Sequence, residues 1–135
     1  MELDRYKPAA RLLVRISAVS AAVGVLYLSL ASMPDLVSAP FNDKVNHFIA
    51  YATLAVLFTG AQKRPVAYLA TMAALIAYGV AIEWLQAVGG NGRQASLLDA
   101  AANTAGVVAG SAFSYLARHA LRAYSAATTS STGTS

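Results

Sequence analysis

The chain has 135 residues, of which 57% are hydrophobic and 12% charged, with a formal net charge of +4 and no cysteine. Soluble domains carry roughly 25% charged residues, so an ordinary water-soluble enzyme is not expected, and so much apolar content excludes disorder for most of the chain. The missing cysteine excludes disulfides, thiolate nucleophiles and thiolate metal sites.

Residues 1–11 (MELDRYKPAAR) are polar and basic, and read as a cytoplasmic N-terminal segment. From Leu12 to Met33 the chain is apolar apart from Arg15. This run exceeds a signal-peptide core of about 7–15 residues, so it reads as an uncleaved anchor. A second run covers Val45 to Gly60, reaching a membrane-spanning length of about 20 residues if the helix starts near Asp43 and ends near Gln62. Lys63-Arg64-Pro65 breaks the chain before a third run, Val66 to Val88, whose one charge is Glu83. Glycine-rich residues 89–92 precede a fourth run, Leu97 to Ala117, whose one charge is Asp99. Residues 123–135 read as a disordered, low-complexity cytoplasmic tail. The alternation of membrane β-strands is absent. The expectation is an all-α polytopic membrane protein whose residues 12–122 form four transmembrane helices in one bundle.

The basic residues set its orientation. Arg5, Lys7, Arg11, Arg15, Lys63, Arg64, Arg118 and Arg122 fall on one side of four spans, and Lys44 and Arg93 on the other. The positive-inside rule then places both termini in the cytoplasm and the chain in the cytoplasmic membrane. Topology accounts for the basic charge, and no nucleic-acid partner is expected.

Ionisable residues in spans are functional candidates. Asp43, Lys44 and His47 open the second span, Glu83 and Gln86 lie near the end of the third, Arg93 and Ser96 occupy the next loop, and Asp99 and Asn103 open the fourth. Four spans deliver all nine to the non-cytoplasmic side. At about 1.5 Å per residue, Glu83 and His47 lie roughly 7–8 Å inside their helix ends. Asp43, His47 and Tyr51 share a helical face, as do Glu83 and Gln86. Ser96 and Asp99 have capping-box spacing. Gly106 and Gly110 form a G-x-x-x-G step below Asn103, suited to close packing of helix backbones.

The stretches DKVNHFIAY (Asp43–Tyr51), EWLQ (Glu83–Gln86) and RQASLLDAAANTAGVVAG (Arg93–Gly110) together resemble the VanZ-like membrane protein family. The shared pattern is D-K-x-x-H-x-x-x-Y, E-x-x-Q, then R-x-x-S-x-x-D-x-x-x-N-x-x-G. Its founding member is associated with low-level resistance to the glycopeptide antibiotic teicoplanin. The resemblance implies an extracytoplasmic role near cell-envelope precursors. It also implies that Asp43, Lys44, His47, Glu83, Gln86, Arg93, Ser96, Asp99 and Asn103 occupy signature positions. The four spans, with no appended soluble domain, depart from a longer architecture often seen in that family.

Three functions are compatible with these residues. In the first, an enzyme acts on a lipid-linked or amphipathic envelope molecule, with His47, Glu83 and Asp99 as candidate catalytic groups. Lys44 and Arg93 would hold a phosphate or carboxylate, Gln86 and Asn103 would orient it, and Asp43 and Ser96 would complete the binding set. Glu83 and Arg93 are expected to pair. In the second, the same polar bowl binds or shields a ligand or partner without catalysis. In the third, a small molecule or proton is transported, although the cytoplasmic halves carry no charge to continue a path. His47, Glu83 and Asp99 could ligate a divalent ion, but one histidine among carboxylates does not specify a metal, and no metal or cofactor is assigned.

Overall fold

A computed structural model describes residues 3–30, 43–60, 62–89 and 96–131. The described residues form four helices and no strand: α1 (Leu3–Leu30), α2 (Asp43–Thr59), α3 (Pro65–Val88) and α4 (Leu97–Ser131). The all-α expectation is met, with each helix over its expected apolar run. Pro65 starts α3 at a position where its missing N–H costs nothing. Gly89 closes the helix, its N–H donating to Leu85 O at 2.9 Å.

Both outer boundaries differ from expectation. α1 begins at Leu3, inside the basic segment, because Arg, Lys, Ala and Leu are good helix formers. α4 runs to Ser131, so 123–131 is helical where the sequence reads as a disordered tail. Its Ala-rich composition favours helix. The hydroxyls of Ser125 and Thr128 return to the carbonyls of Leu121 and Tyr124. The exposure of 121–128 shows that this extension is held by local structure and not by packing.

Among the described residues, Pro8–Leu30 of α1 and Pro65–Val88 of α3 are long and apolar enough to cross a membrane. Within those windows 6% of α1 and 17% of α3 is buried, so both present most of their apolar surface to the surroundings. α2 has 17 residues. α4 mixes Asp99, Asn103, serines and glycines into its apolar run. Length and apolarity therefore mark two helices where the sequence reading has four.

Contacts between helices define the chain path. Tyr78 donates from its hydroxyl to Ala22 O at 2.6 Å, and Gln86 from Nε2 to Ser29 O at 2.7 Å, so α1 and α3 run parallel. Lys44 meets Asp99 and His47 meets Asn103, so α2 and α4 run parallel to each other. Tyr68 near the start of α3 bonds Ser111 O in α4, which makes α3 antiparallel to that pair.

The closest packing joins α2 to α4, as the glycine step predicts. A Cβ on Gly106 would lie 3.0 Å from Ala52 N, and one on Gly110 would lie 2.9 Å from Ala52 C. Backbone thus lies directly on backbone, and a core of Tyr51, Leu54, Ala55, Leu75 and Val107 closes around it.

Gly110→Val should force α2 and α4 apart and lower unfolding free energy by about 1–3 kcal/mol or more. Gly24 has open space around it, so Gly24→Ala should leave stability unchanged or raise it by up to about 1 kcal/mol. Reversible unfolding in mixed detergent micelles, followed by circular dichroism, compares the two.

Candidate functional site

The site lies where the start of α2, the end of α3 and the start of α4 meet. Ser96 immediately precedes α4, and its Oγ accepts the Asp99 N–H at 3.2 Å, as an N-cap should. In an ordinary capping box the acidic side chain would return to the Ser96 N–H. Here Glu83 Oε2, from α3, accepts that N–H at 3.2 Å. Glu83 is 5% exposed, so the contact ties the end of α3 to the first turn of α4 inside the protein.

Asp99, relieved of that duty, turns to α2. Lys44 Nζ donates to its Oδ1 at 3.0 Å. One turn deeper, His47 Nδ1 lies 3.0 Å from Asn103 Oδ1. With that oxygen as acceptor, Nδ1 is the donor, and Nε2 is the ring nitrogen left for other contacts. Nε2 lies 3.9 Å from Asp43 Oδ1. A proton arriving at Nε2 would turn this approach into an ion pair.

Glycine again makes the crossing possible. A Cβ on Gly79 would lie 3.1 Å from the Tyr51 ring, 3.2 Å from Asn103 Cβ and 3.3 Å from Asn103 Nδ2. Glu83 stands one turn from Gly79 on the same face of α3. Three buried polar atoms at this level have no hydrogen-bond partner among the described residues: Glu83 Oε1, Asn103 Nδ2 and Tyr51 OH.

The structure therefore brings together Asp43, Lys44, His47, Glu83, Ser96, Asp99 and Asn103 from the expected set. Gln86 is engaged elsewhere, on the Ser29 carbonyl of α1. Arg93, and with it the expected Glu83–Arg93 pair, lies outside the described residues. The sequence reading did not pick out Gly79 or Tyr78, although Gly79 precedes Glu83 by one helical turn. It noted Tyr51 only as the third member of the Asp43–His47 face.

Asp43, His47 and Asp99 each place one ligand atom within 4.8 Å of the others. This differs from the His47, Glu83 and Asp99 set weighed from the sequence. The Lys44 ammonium already neutralises Asp99 at 3.0 Å, so a cation here would compete with a built-in one.

Comparison of the chain with protein-family models, with curated proteins and with solved structures gives no match.

Because Glu83 acts as the second half of the α4 cap, Glu83→Ala should lower stability by about 1–3 kcal/mol, leaving the Ser96 N–H without its acceptor. Ser96→Ala should lower it by about 1 kcal/mol. Glu83→Gln keeps an acceptor oxygen and should fall between wild type and Glu83→Ala. An unfolding curve for Glu83→Ala that superimposes on wild type would show that the cap is not formed.

Proposed function

We propose that the chain is a VanZ-like integral membrane protein whose four helices all span the membrane. Its polar layer, at the extracytoplasmic face, takes the polar head of a lipid-linked or amphipathic envelope molecule. The observation that carries this reading is the trio of buried, unpartnered polar atoms Glu83 Oε1, Asn103 Nδ2 and Tyr51 OH. Leaving such an atom unpaired costs about 1–3 kcal/mol, and a ligand presenting hydroxyl, amide or phosphate groups would satisfy them. His47, with Nε2 as base, is the group best suited to move a proton on such a ligand.

Charge spacing supports the membrane reading. Positions 44 and 63, 64 and 83, and 99 and 118 are each 19 residues apart, with no Asp, Glu, Lys or Arg between the members of any pair. Nineteen helical residues extend about 28 Å, close to the roughly 30 Å of a hydrocarbon core. Large apolar side chains are exposed on all four helices, among them Val19, Ile49, Leu69 and Leu116. Trp84 is exposed beside Glu83 and Tyr115 beside the basic end, as interfacial aromatics are. The ordered D-K…H, E…Q and R…S…D…N residues support the family resemblance.

Two experiments test the proposal. The chain lacks cysteine, so single cysteines can be introduced at Leu97, which is 90% exposed, and at Lys63. In intact bacterial cells an impermeant maleimide should label Leu97→Cys and spare Lys63→Cys; labelling of Lys63→Cys alone would reverse the orientation. For the ligand, native mass spectrometry of protein released in gentle detergent should show a retained amphipathic molecule. Asn103→Ala and His47→Ala should lose it while still folding, and equal retention by folded variants would remove the polar layer as its site.

A further inference from the structure

The opposite end of the bundle carries a second feature, independent of the polar layer. A cavity of about 350 Å³ opens between the α2–α3 connection, the first turn of α3 and the second half of α4. Its lining includes Lys63, Arg64, Arg118, His119 and Arg122, and no carboxylate. Four of the chain's ten lysines and arginines thus surround one cavity.

The four cations are not equivalent. Arg118 is committed to the fold: its Nε donates to Ser114 O at 3.1 Å, and its Nη1 donates to Thr59 O at 3.2 Å and to Gln62 O. Its guanidinium also lies 5.2 Å from the centre of the Tyr68 ring. It therefore caps the carbonyl end of α2, where a cation complements the helix dipole. Lys63, Arg64 and Arg122 form no salt bridge with any described carboxylate. His119 packs against Tyr115, with ring centres 4.7 Å apart, and forms one wall.

The geometry points to a site for a phosphate-bearing anion, held by Lys63, Arg64 and Arg122 above the fixed Arg118. Like charges around one cavity concentrate positive potential and attract anions. Guanidinium groups match phosphate oxygens with paired N–H donors. The volume lies at the lower end of the roughly 300–1,000 Å³ of small-ligand pockets, enough for a phosphate and a small attached group. The phosphate can come from an anionic phospholipid headgroup or from a soluble compound. Exposed Leu69, which lines the cavity, and neighbouring exposed Leu116 would lie along acyl chains in the first case.

The test uses the full chain in mild detergent, with two probes. One is phosphatidylglycerol offered against phosphatidylcholine and read by native mass spectrometry. The other is inorganic phosphate offered against chloride at equal ionic strength and read as a shift in melting temperature. The triple variant Lys63→Gln/Arg64→Gln/Arg122→Gln should bind the favoured probe about 100-fold more weakly, since each cation contributes roughly a factor of five. The single variants Arg64→Gln and Arg122→Gln should each lose about fivefold, which keeps the test open should the triple variant misfold. Gly24→Ala, outside the cavity lining, should leave binding of either probe unchanged. Retention of phosphatidylglycerol that the variants lose places a lipid headgroup in the cavity. A phosphate response without lipid preference assigns the same site to a soluble compound, and that arm requires no membrane insertion. Binding of neither probe, or binding that the Arg64 and Arg122 variants leave unchanged, overturns the site. Loss of the polar-layer ligand would not affect either arm.

Discussion

The approach of two parallel helix backbones through Gly106 and Gly110 governs the rest of the structure. Parallel neighbours in an up-and-down chain are not consecutive, so α2 and α4 reach each other only if no side chain stands between them. With Ala52 backbone within about 3 Å of where either Cβ would be, even alanine is too large at these positions without a shift. That contact sets one register along the whole pair. Lys44 faces Asp99, His47 faces Asn103, and Thr59 faces Arg118, at three successive heights.

From this register follows a division between the two ends. At one end Lys44 pairs with Asp99, and Glu83 takes over the N–H that Asp99 would otherwise cap. What is left over there is an amide nitrogen, a phenol and one carboxylate oxygen. At the other end Arg118 caps α2, while Lys63, Arg64 and Arg122 form no salt bridge with a described carboxylate. The same helices thus present two chemically different faces separated by an uncharged interval.

Much of this was legible in the sequence, and the remainder depends on register. The four helices, the Ser96 cap and the glycine step follow from spacing along single helices, and the convergence of Asp43, Lys44, His47, Glu83, Asp99 and Asn103 from the alternating direction of the helices. The pairings do not. Nothing along a single helix assigns Lys44 a protein partner, and the α2–α4 contact gives it Asp99. Gln86 shares a helical face with Glu83, yet three residues further along α3 it meets Ser29 on α1. Arg118 counts in the sequence as one topological charge, since nothing local marks it as the cap of a helix that ended 59 residues earlier. The ends of α1 and α4 were missed because the apolar run marks where a helix leaves an apolar environment, not where helical hydrogen bonding stops.

The dependence of the polar layer on the glycine contact is open to direct measurement. The non-additivity of Lys44→Met and Asp99→Asn, obtained from unfolding free energies in micelles, reports how closely the two side chains are held. Measured again in a Gly106→Ala background, it should fall well below its wild-type value, because a single methyl group on α4 pushes α2 away and opens the ion pair. If Gly106→Ala lowers overall stability but leaves the Lys44–Asp99 coupling at its full value, the polar layer is assembled by other contacts and the glycine step does not set its geometry.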